Sequence, residues 1–135
     1  MKIENTVCTL EQAREIHKSG VENLSTLFVF GMGPDNIWKL QLNIEYCGES
    51  EYCSFIPAYT VAELGILLPW RGNNYEFIVG QESNGFVHRL KIWSPGSNHV
   101  DLYYIEKISE AEARADALIW LINNEYIINT NELKL

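Results

Sequence analysis

Residues 109–128, SEAEARADALIWLINNEYII, constrain the fold more than any other stretch. Ser109 and Glu112 have the S-x-x-E spacing of a capping box, which marks a helix start. Glu110, Glu112 and Asp116 place negative charge near the positive end of the helix dipole. Ala111, Ala113, Ala115 and Ala117 are strong helix formers. At 100° per residue, Ala111, Ala115, Leu118, Ile119, Ile122 and Tyr126 share one face, which the pattern predicts to lie on a sheet. Trp120, Ala113 and Ala117 then look away from that sheet, under a loop or helix or against another chain.

Two more helix starts have the same form. Thr9 and Gln12 precede a helix over Leu10–Ser19, stopped by Gly20. Thr60 and Glu63 precede one over Val61–Leu68, stopped by Pro69. The three boxes start 51 and 49 residues apart, a hint of internal repetition with negligible residue identity.

The rest reads as strands. Thr26–Phe30 is a short β-rich run, and 31–36 (GMGPDN) is a turn or loop. Trp38, Leu40, Leu42, Ile44 and Tyr46 alternate with polar residues, which predicts one buried face and one wet face. Gly48–Glu51 reads as a loop, and Pro57 favours an extended approach to the second helix. Tyr75–Glu82, Phe86–Trp93 and His99–Lys107 read as three further strands. Asn84-Gly85 predicts a two-residue hairpin turn, and 94–98 (SPGSN) the next turn. Counting from those turns pairs Val79 with Leu90, Phe77 with Ile92, Leu90 with Leu102, Ile92 with Val100 and Lys91 with Asp101. The expected class is α+β. A mostly antiparallel sheet of about five strands carries its helices mainly on one face, in the order α-β-β-α-β-β-β-α.

At 135 residues the chain fits a single domain. Its 47% hydrophobic content supplies a packed core and argues against disorder. The formal charge of −8 disfavours nonspecific binding to nucleic acid or to an anionic membrane, since both use basic patches. Met1–Leu10 is not a secretory signal, and the apolar run 117–122 is too short to span a bilayer. Cys8, Cys47 and Cys53 form no disulfide framework, so reduced thiols in a cytoplasm are expected. The C-x5-C spacing of Cys47 and Cys53 is not a zinc signature, and neither a metal nor a cofactor is expected.

No nucleophile elbow, P-loop or zinc-protease motif is present. In the register above, His88 points inward in a row with Gln81 and Tyr104, a candidate polar pocket for a small enzyme or ligand-binding domain. The same register puts Trp93, Tyr103, Arg89 and Lys91 on the outer sheet face. Aromatics beside basic groups suit single-stranded nucleic acid, but Glu76, Glu82 and Asp101 lie among them. A mixed aromatic and charged face suits a protein partner, or self-association, better.

Residues 55–65 (FIPAYTVAELG), then 67–69 (LLP), then a tryptophan-containing strand, then 109–122 (SEAEARADALIWLI) resemble a group of small phage and prophage proteins of Bacteroides-type gut bacteria. Residues 8–13 (CTLEQA) and Leu27-Phe28 are similar too, so the resemblance covers nearly the whole chain. It implies a mobile-element origin and a bacterial cytoplasm, and it carries over no functional residue. The expected function is a non-enzymatic protein-binding module.

Overall fold

The computed structural model describes residues 6–21, 25–43, 54–68, 76–78, 88–93 and 101–127, with Thr130 and Leu133; for 76–78 and 101 it describes the backbone. The elements are α1 (Leu10–Lys18), β1 (Phe28–Met32), β2 (Trp38–Leu42), β3 (Ser54–Ala58), α2 (Val61–Leu67), β4 (Glu76–Ile78), β5 (His88–Trp93), β6 (Asp101–Lys107) and α3 (Glu110–Asn123). The class is α+β and every strand pair is antiparallel. The strands are divided between two sheets, ordered β2-β1-β3 and β4-β5-β6, where the sequence suggested one.

The segment around Pro57, expected as an extended approach to the second helix, is strand β3. Pro57 lacks an N–H, which argues against a central strand but is tolerated at an edge. It pairs with Val29 from the edge of its sheet. Each of the first two helices is followed by three strands, but the first sheet is centred on its first strand and the second on its middle strand. The even spacing of the capping boxes is therefore not a structural duplication.

All three helices begin where their caps predict. Thr9 with Gln12 and Thr60 with Glu63 form complete reciprocal boxes. At α3 the box is half formed. Ser109 accepts from the Glu112 N–H at 3.1 Å, and its hydroxyl donates to the Glu112 carboxylate.

The helices pack between the two sheets. α3 lies against β5 and β6 on one side and against α1 and α2 on the other, while α1 also touches β3. Burial on several sides explains why Ala111, Ala113, Ala115, Ala117, Leu118 and Leu121 are all inaccessible. Small residues let neighbours approach from more than one direction, and the charged Glu110, Glu112, Arg114 and Asp116 between them stay partly exposed. Ile16, Tyr59, Leu64, Leu67, Leu90, Ile92 and Ile105 complete the core.

The β4–β5 register is the expected one, with Phe77 opposite Ile92; the expected Val79 pairing falls outside the described residues. The β5–β6 register is not. Leu90 faces Ile105, Lys91 faces Tyr104 and Ile92 faces Tyr103, with an irregularity before Trp93 and Asp101. The shift from the expected Leu90–Leu102 pairing is three residues. An odd shift exchanges the two faces of β6. Residues 102–105 (LYYI) are apolar or aromatic throughout, so either parity offers the core an acceptable set. Burying Ile105 beside Leu90 and Ile92 selects one of them.

Candidate functional site

The exchange of faces rearranges both candidate sites. Tyr103, expected on the outer face, points toward α3 and stacks on Trp120, with ring centroids 5.1 Å apart and planes at 12°. Trp120 in turn stacks on Tyr126 at 5.3 Å. Trp120, expected to look away from the sheet, is thus turned toward it.

Tyr104, expected beside His88, lies on the outer face and is 45% exposed. Its hydroxyl donates to Glu106 at 3.0 Å, and the Lys91 ammonium stands 6.0 Å from its ring centroid. Arg89 pairs with the same Glu106 carboxylate at 3.6 Å. The expected Lys91–Asp101 pairing is absent, since Asp101 faces Trp93. Of the expected outer-face set, Arg89, Lys91 and Trp93 stand, each half-buried, and Tyr104 takes the place of Tyr103.

His88 keeps the inward parity of Leu90 and Ile92 and lines a cleft of about 500 Å³. It meets Thr6, Thr60, Val61, Ala62, Ile108, Ser109 and Glu110 there, and Tyr104 is not among them. Gln81 falls outside the described residues. The cleft lies where α2 and α3 begin, but the helix ends are already occupied. Glu63 bonds the Thr60 N–H and hydroxyl at 2.9 and 3.0 Å. The Glu110 carboxylate holds Arg114 at 3.0 Å. The remaining walls are mainly apolar, and among the described residues His88 supplies the cleft's imidazole.

Close to these helix starts, Cys8 is buried and its thiol is pushed up to about 12, chiefly by burial. Burial also raises the Tyr59 phenol. The Tyr59 hydroxyl is buried without a hydrogen-bond partner among the described residues. A thiol held neutral in this way is a poor nucleophile. Among the described residues no group of three His, Cys, Asp or Glu side chains could hold a metal ion. No helix among them is long and apolar enough to cross a membrane.

Sequence reasoning missed a third surface. Phe28, Phe30 and Met32 of β1 share a face with Leu42, Leu40 and Trp38 of β2. α1 reaches this face at one side, where the Arg14 guanidinium stands 5.3 Å from the Trp38 ring centroid. All six residues remain half-buried. Leu27 and Ile37, one position before each strand and so of the opposite parity, are 56% and 55% exposed. The alternation of β2 marked this face as apolar, but it carried no information about how completely other elements cover it.

No family model, curated protein or solved structure matches the chain.

Proposed function

We propose that the protein is a non-enzymatic protein-binding module, encoded by a phage or prophage and working in the bacterial cytoplasm. The origin rests on the resemblance of residues 55–69 and 109–122 to small phage proteins. The binding role rests on one observation, the incompletely covered apolar face of the β1–β2 hairpin. A contiguous apolar surface costs solubility unless a partner covers it. The face carries little charge, so its natural partner is another protein surface rather than nucleic acid or an anionic membrane.

The test compares the wild-type protein with the double variant Met32→Ser, Leu42→Ser, two positions on that face. Both side chains are half-buried, so the thermal midpoint should fall only modestly, and its value shows that the variant is folded. Each protein is immobilised and exposed to host lysate. A host protein retained by the wild type and lost by the variant supports the reading. Identical retention by both removes the hairpin from the binding surface.

A second reading, a ligand-binding or small catalytic domain, is favoured by the size of the cleft beside His88, which falls in the range of small-molecule sites. Filling it with Ala62→Trp should abolish any thermal stabilisation by a small-molecule library. A stabilising compound that acts equally on the filled variant binds elsewhere.

A further inference from the structure

Among the described residues the hairpin's outer strand is also an unpaired edge, and its hydrogen-bonding groups can be assigned. The Asn43 N–H donates to the Leu27 carbonyl at 2.9 Å. Residues 27 and 43 lie one step beyond the Phe28–Leu42 pair and so mark a bonded-pair position of the ladder, although the Leu27 N–H itself donates to the Glu63 carboxylate at 3.0 Å. Such pairs alternate along an antiparallel ladder, which makes Val29–Gln41 and Gly31–Lys39 the next two. The N–H and C=O groups of Lys39 and Gln41 therefore point at β1. Those of Trp38, Leu40 and Leu42 point out of the sheet, and among the described residues no strand pairs with them.

The opposite edge of the same sheet is closed. By the same alternation the outward positions of β3 include Phe55, Pro57 and Tyr59. Pro57 has no N–H to offer, and the Tyr59 carbonyl accepts from the Cys8 N–H at 3.0 Å. Val7 bridges Thr60 just beyond. In the other sheet, the β6 edge carries Asp101, Glu106 and Lys107 together with an irregular register, features that discourage edge pairing. The β2 edge has one charge, Lys39, paired with Asp35 at 3.4 Å.

From this we infer that β2 pairs with β2 of a second copy, antiparallel about a two-fold axis at Leu40, joining two three-stranded sheets into one of six strands. The inference rests on the protein-binding reading and adds a second copy of this chain as a partner of the same hairpin. Three physical conditions select this occupant and this register. First, centring on Leu40 makes Leu40–Leu40′ and Trp38–Leu42′ hydrogen-bonded pairs, where the prime marks the second copy. Every outward N–H and C=O of the strand is then used; centring on Lys39 or Gln41 leaves one residue of each strand unpaired. Second, antiparallel pairing about that centre keeps Trp38, Leu40 and Leu42 on one side, so the two half-covered apolar faces become continuous. Third, two copies each carrying a charge of −8 repel in general. Between Ser25 and Asn43 the charged residues are Asp35 and Lys39 alone, of opposite sign. In the Leu40-centred register Lys39 faces Gln41′ and meets no like charge. An isologous contact of this kind closes as a dimer and cannot run on into a fibre.

Sedimentation across a wide concentration range, combined with amide hydrogen exchange on the full chain, tests the inference. The expected result is a reversible monomer–dimer equilibrium. The amides of Trp38, Leu40 and Leu42 should be protected at high concentration and lose protection on dilution, while those of Lys39 and Gln41 stay protected throughout. Leu40→Pro removes an N–H that β1 does not use, so the fold should tolerate it. The dimer dissociation constant should rise by about tenfold or more. A monomer at every concentration overturns the proposal. So does a dimer in which the Trp38, Leu40 and Leu42 amides exchange as freely as in the monomer. Should Leu40→Pro unfold, the exchange pattern of the wild-type chain decides alone. Failure here is distinct from failure of the broader reading, because lysate capture compared between the wild type and the Met32, Leu42 variant has its own readout.

Discussion

Tyr103 of β6 and Trp120 of α3 lie ring on ring, 5.1 Å apart and nearly parallel. The contact joins the inner face of the second sheet to the long helix, and Tyr126 continues the stack on the other side of the indole. Aromatic pairs in such geometry add about 0.5–1.5 kcal/mol beyond their area burial. A double-mutant cycle on Tyr103→Ala and Trp120→Ala should return a coupling of that size in denaturant titrations. Tyr104→Ala, on the exposed side of the same strand, should change stability by less than about 0.5 kcal/mol. Equal losses from Tyr103→Ala and Tyr104→Ala would contradict the observed parity of β6.

Gln12 ties α1 to α3. Its side-chain amide donates to the Asp116 carboxylate at 2.7 Å and to the Glu112 carbonyl at 2.9 Å. Its carbonyl oxygen accepts from the Thr9 N–H at 3.0 Å, completing the cap of α1. Asp116 also meets Lys107 of β6 at 3.1 Å. Gln12→Ala should therefore cost about 2–3 kcal/mol, more than an ordinary lost cap, because an interhelical bond to a carboxylate goes with it. Gln12→Glu should not rescue it, since a carboxylate there faces Asp116. Urea midpoints of the two variants check both statements.

Core burial should outrank capping. Leu118 is fully buried, so Leu118→Ala should destabilise by roughly 2–5 kcal/mol. Ile122 is half-buried, and its alanine variant should fall below that of Leu118. Thr60→Ala loses a capping box and should cost about 1 kcal/mol. The order of the three denaturant midpoints tests the packing directly.

Alkaline pH should weaken the fold through Cys8. Its folded thiol titrates near 12 against an ordinary 9.0. Below pH 9 both states hold the proton and the thiol adds no pH dependence. Between about 9 and 12 the unfolded chain releases the proton while the folded chain keeps it, so stability falls as pH rises. The slope approaches about 1.4 kcal/mol per pH unit for one proton. The raised Tyr59 phenol adds to the loss with the same sign. Cys8→Ala should flatten the curve of unfolding free energy against pH above 9. An unchanged slope would remove Cys8 from the linkage.

Tyr59→Phe should stabilise the protein by about 1 kcal/mol, because its buried hydroxyl has no partner among the described residues. Thermal midpoints at neutral pH, where neither phenol nor thiol ionises, measure that effect alone. A lower midpoint would mean that the hydroxyl holds an interaction the side chain cannot spare.

The chain's local chemistry determined where its helices start, because a cap is settled within four residues. Thr9–Gln12, Thr60–Glu63 and Ser109–Glu112 needed no tertiary information. The Phe77–Ile92 register was legible for a similar reason, since Asn84-Gly85 suggests a short turn of known geometry. The inward parity of His88 followed from the same count. The next register was not legible. The connection between β5 and β6 has no single favoured length, and 102–105 (LYYI) satisfies a core in either parity. Only burial of Ile105 against Leu90 and Ile92 decided it, and that decision sent Tyr103 to Trp120 and Tyr104 away from His88. The division into two sheets was hidden as well, because Pro57 reads against a strand unless its edge position is known. Alternation along β2 told which side of the strand is apolar. How much of that side is covered depends on packing between elements distant in sequence, and that alone left Trp38, Leu40 and Leu42 half-buried.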